Sequence, residues 1–119
     1  AAAVLIVRKA TGEPLWAWAT AHPWLRQRGA GDPAAIDAFL RSWKPRVDTT
    51  AALPDWPERD VYKDSLGPFM STPFDRDRYL EIRAKAYPRL CFATGVDSGA
   101  CIYFDTGSGQ AFEVLENGA

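Results

Sequence analysis

The chain has 119 residues, 47% of them hydrophobic and 24% charged, proportions that exclude disorder of the whole and suffice for a single domain, 1–119, with a core of its own. Its 14 basic and 15 acidic residues leave a formal net charge of −1, which excludes a chain-wide basic field for nucleic-acid backbones. No run of about 18 apolar residues occurs, so no membrane-spanning helix is expected.

The opening Ala1 to Val7 lacks the basic region that starts an intact signal peptide and reads as a strand. A cytoplasmic protein is therefore expected. Val4 to Arg8 and Leu15 to Ala19 flank Lys9-Ala10-Thr11-Gly12-Glu13-Pro14 and form a first hairpin, whose strands should join a sheet with the C-terminal ones. Trp16 and Trp18 lie two apart and share one face. That face reads as packing under helices, with an aromatic platform for a sugar ring as the alternative.

Pro23 to Arg28 reads as a short helix capped by His22. His22 is the one histidine, and no Cys or acidic spacing accompanies it, so a structural role is preferred to that of a general base. Arg26, Arg28, Arg41, Lys44 and Arg46 cluster, but Asp32, Asp37 and Asp48 are interspersed, which describes a solvated face. Asp32-Pro33 starts a helix over 33–43. Its apolar stripe Ile36, Phe39, Leu40 and Trp43, at i, i+3, i+4 and i+7, is expected in the core.

From Pro45 to Pro73 the prolines recur and apolar periodicity is lost, so this stretch reads as mostly irregular. Long ordered loops are often functional, and this one carries aromatic and charged residues together. Asp55, Trp56, Asp60, Tyr62 and Asp64 are accordingly the candidate partner-binding residues, on a face spanning Leu53 to Met70, with Trp56 and Tyr62 as anchors. Asp75 caps a helix over 75–86, which Pro88 ends. Three strands follow in Leu90–Thr94, Cys101–Asp105 and Ala111–Leu115, separated by Gly, Asp and Ser clusters. Cys91 and Cys101 fall on neighbouring strands, where buried thiols are preferred to a disulfide.

The expected fold is α+β, a mostly antiparallel sheet built from the N- and C-terminal hairpins with two to three helices packed on it. No cofactor or metal is implied, since Cys-x-x-Cys, paired His and phosphate-binding Gly motifs are missing from the sequence. Asp105-Thr106-Gly107-Ser108 matches the aspartic-protease signature, with Asp97-Ser98-Gly99 as a possible second copy. The two carboxylates lie at opposite ends of one strand, roughly 25 Å apart, and cannot form a dyad. Both read as turn residues.

The stretch from Phe92 to Glu116, about a fifth of the chain, resembles the sheet hairpin of the SUKH superfamily of immunity proteins, in Gly99, Tyr103, Asp105, Gly109 and Phe112. The N-terminal half departs from that pattern. The resemblance implies a bacterial α+β protein that binds and neutralises a toxin. A protein-binding module of this kind is the expected function, with a protein partner and neither nucleic acid nor membrane. Its alternatives are a small hydrolase or nuclease using scattered Asp, Glu or His, and a sugar or ligand binder using Trp16, Trp18 and Trp56.

Overall fold

The structure, a computed structural model, describes residues 3–20, 33–43, 45–58, 66–95 and 97–118. The chain divides into two compact units, residues 1–44 with 94–96 and residues 45–93 with 97–119.

In the first unit, β1 (Ala3–Arg8) and β2 (Pro14–Thr20) form a two-stranded antiparallel sheet. Gly12 closes its turn at φ +93°, a conformation that only glycine adopts without strain, and donates its N–H to the Lys9 carbonyl at 2.8 Å. The register sets Leu5 opposite Trp18 and Val7 opposite Trp16. The other face of the ribbon carries Val4, 58% exposed, and Ile6, 46% exposed. Helix α1 (Pro33–Ser42) follows, steadied by an Asp37–Arg41 ion pair at 2.9 Å, and Trp43 just beyond it packs on Trp18 with ring centroids 5.9 Å apart.

The second unit is a five-stranded antiparallel sheet in the order β3-β5-β6-β7-β4. Its strands are β3 (Arg46–Thr49), β4 (Met70–Ser71), β5 (Pro88–Ala93), β6 (Gly99–Asp105) and β7 (Gln110–Asn117). Helix α2 (Arg76–Lys85) begins at Asp75, whose carboxylate accepts the Arg78 N–H at 2.8 Å, and ends on Ala86 in the left-handed conformation. Tyr79 and Ile82 of this helix join Leu53, Leu66, Tyr87, Tyr103 and Val114 in one core. Thr50, at the head of a 3₁₀ turn (Thr50–Ala52), clamps helix to strand: its buried hydroxyl donates to the Ile82 carbonyl at 2.6 Å and accepts the Tyr87 N–H at 2.9 Å. Arg89, also buried, donates two 2.7 Å hydrogen bonds to Asp48 and so ties β5 to the edge strand β3.

Four expectations need correction. The described residues are predominantly β. Its N-terminal hairpin is a sheet of its own and not part of one sheet with the C-terminal meander, whose outer strands are β3 and β4. A hairpin satisfies its ladder locally, so strand pattern alone does not say which sheet it joins. Among the described residues of the second unit one α-helix, α2, packs with the sheet, where two to three were expected. Both added strands lie in the proline-rich segment that reads as irregular, because edge strands are short and tolerate flanking proline.

The third correction concerns Leu40, which is 50% exposed where the helical stripe placed it in the core. It lies about 100° around the helix from Phe39, on the flank of the stripe. Trp43 is half-buried, and the side chains of Ile36 and Phe39 lie outside the described residues. The fourth is the cysteine pair. Cys91 and Cys101 are directly opposite across β5 and β6, with Cα atoms 4.1 Å apart, and are joined in a disulfide. Exact register decides this, and it brings them together as a narrow pair of the antiparallel ladder.

Candidate partner-binding site

The expected contact residues on the proline-rich loop separate into two groups. Asp55 and Trp56 are described, and both are tied to α2. Asp55 pairs with Arg83 at 2.7 Å, while the half-buried Trp56 ring meets Tyr79 edge-on at 5.4 Å. The Tyr79 hydroxyl adds a bond to the Pro54 carbonyl at 2.5 Å. The start of the loop is thereby pinned to its own unit. Asp60, Tyr62 and Asp64 lie outside the described residues, as do His22 and the predicted helix over 23–28.

At the far end of the same loop the chain turns at Gly67–Phe69 into β4. Leu66, 5% exposed, anchors the turn in the core. Its N–H donates to the Met70 carbonyl at 3.2 Å, and the Gly118 N–H donates to the Phe69 carbonyl at 2.9 Å. With the backbone held on both sides and the inward position taken by Leu66, the Phe69 ring is left 62% exposed. No other aromatic among the described side chains is so accessible. It borders a groove of about 290 Å³, lined also by Pro68, Met70, Ser71, Glu116 and Asn117.

The acid in that groove has a neighbour. In a regular strand Glu113 and Glu116, three apart, would point to opposite faces. A bulge between Cys101 and Ile102 of β6, absorbed on β7 at Val114, shifts the register so that Glu113 lies opposite Ile102 and Glu116 opposite Ala100. Both carboxyls then stand on one face. Their hydrogen bond, together with burial and charge repulsion, pushes Glu113 up to about 7. Among the described residues no cation pairs with either.

Elsewhere the polar residues serve the fold. Asp105, the carboxylate of the protease-like motif, accepts the N–H groups of Gly107 at 2.8 Å and Ser108 at 3.2 Å and so shapes the β6–β7 turn. Burial raises the Tyr103 phenol and pushes Tyr79 up to about 12, which keeps both protonated at neutral pH. Trp16 and Trp18 line the half-buried face of the N-terminal ribbon, not its open one. Among the described residues no three His, Cys, Asp or Glu side chains gather as metal ligands, and no helix is long and apolar enough to cross a membrane.

The chain matches no protein-family model, no curated protein and no solved structure.

Sequence reasoning missed Phe69, Glu113 and Glu116. Gly67-Pro68-Phe69 carries a usable signal, since an aromatic following a Gly-Pro turn is readily left outside. The glutamate pair carries none, because its spacing predicts divergence and only the bulge reverses that.

Proposed function

We propose that this chain is a protein-binding module, an inhibitor or immunity protein of the kind that the SUKH resemblance implies, and that its contact face is the loop from Leu53 to Met70. One observation carries the reading. Phe69 is a large, rigid aromatic held out of the core on a turn whose backbone is pinned, next to a groove containing a carboxylate. Anchors of that type supply binding energy with little loss of side-chain freedom, because the turn is ordered before the partner arrives. Asp55 and Trp56 fix the start of the loop to α2. The Cys91–Cys101 disulfide is of a kind that persists in oxidising compartments, so under this reading the partner is met there and not in the cytoplasm.

The test begins with co-purification of the tagged chain from its source cell, continues with identification of the bound protein, and ends with calorimetry. Phe69→Ala should weaken the complex by about 2 kcal/mol while leaving the melting temperature nearly unchanged. Wild-type affinity in that variant would remove Phe69 from the interface.

A further inference from the structure

We propose that the groove beside β4 receives a basic segment of the partner, with an apolar side chain laid on Phe69 and an Arg or Lys seated at the Glu113–Glu116 pair. The inference rests on the protein-binding reading above and names the chemistry of what is bound.

Charge complementarity selects the occupant. Two carboxyls share one face of β7, and the residues across from them on the flanking strands are Ile102, Ala100 and Ser71, none of which carries charge. Glu116 opens into the groove, so a cation arriving there reaches both carboxyls. A guanidinium suits this site, since its planar fork can donate to two carboxylates at once. A divalent metal ion is poorly served, because hard cations take six or more oxygens and two carboxyls supply too few. Pro68, Phe69 and Met70 provide the apolar rim that a peptide, unlike a free ion, would use.

Binding would be linked to a proton. In the free protein Glu113 is held up to about 7 by its contact with Glu116. A cation between the two favours the doubly ionised pair, so Glu113 gives its proton to the buffer as the segment binds. Affinity therefore rises with pH across neutrality, the opposite of a site that captures protons.

Random short peptides displayed on phage, selected on the full chain, provide the probe, and the best binders are then synthesised and titrated. The expected result is enrichment of Arg and Lys, with affinity about fivefold or more tighter near pH 8 than near pH 6. Glu116→Lys should lower it about tenfold or more, and Glu113→Gln should remove most of the pH dependence. Both positions are accessible enough for folded variants, which circular dichroism verifies. Peptides without basic residues that still require Phe69 would overturn this inference and leave the protein-binding reading standing. The same follows if basic peptides bind Glu116→Lys as well as wild type. Peptides indifferent to Phe69→Ala and to both glutamate variants, or no selection at all, would overturn both.

Discussion

Asp48 and Arg89 show how a single pair can set the behaviour of an edge strand. Arg89 is 3% exposed, so its charge is tolerated only because Asp48 accepts two bonds from it. Asp48→Ala would leave that guanidinium buried and unpaired and should cost about 3 kcal/mol, read from a denaturant titration. A loss below about 1 kcal/mol would mean that water reaches Arg89 once the carboxylate is gone. Trp56 tests the loop in the same way. It packs on Tyr79 at the edge of the core, so Trp56→Ala should lower stability by about 2 kcal/mol. If instead the melting temperature held and partner affinity fell, Trp56 would be an anchor in its own right. Phe69→Ala should behave oppositely, sparing the fold and weakening the complex.

At the scale of elements, β5 and β6 are joined twice, by their ladder and by the Cys91–Cys101 disulfide, which closes a connection of sequence separation 10. Replacing both cysteines by alanine should cost about 2 kcal/mol, chiefly by freeing the unfolded chain. Equal thermal midpoints for the oxidised protein and the double variant would show that the ladder alone fixes this register. Gly99 marks the same hairpin. A Cβ there would stand 3.2 Å from the Phe92 carbonyl and 2.8 Å from Asn117 Oδ1, so the close approach of three strands accounts for the glycine. The strands β5, β6 and β7 and the helices α1 and α2 were legible in sequence because each is long and bounded by a cap, a proline or a glycine turn. Strands β3 and β4 were not, because an edge strand of four or two residues has no periodicity to read.

The whole molecule should be most stable near pH 5. Below that, Asp48 is the main loss. The Arg89 hydrogen bonds hold its carboxyl under the ordinary carboxylate range, so its contribution is complete above the unfolded value and disappears as pH falls through the folded one. Above pH 5, Glu113 acts with the reverse sign. Its folded pKa of about 7 exceeds the unfolded value, so the folded state binds more protons between the two and stability declines as pH rises through that window. The decline should be about 1 kcal/mol between pH 5 and pH 8 after allowing for solvent screening, and Glu116→Gln should abolish most of it. Thermal scans across that range check the prediction. A flat profile in the wild type would mean that the two carboxyls do not share a proton.

The features legible in the sequence alone are local ones. The Gly12 turn, the Asp75 cap, the Asp105 turn and the apolar alternation of the C-terminal strands each depend on residues a few positions apart, where propensity and hydrogen bonding act without help from the rest of the chain. The acidic groove was beyond its reach for a physical reason. A side chain's face is set by counting along a strand, and the bulge at Val114 changes that count by one, so Glu113 and Glu116 meet only once β7 has paired with β6. The exposure of Phe69, the sheet to which the N-terminal hairpin belongs and the disulfide likewise depend on pairings between distant segments, and these the tertiary structure alone decided.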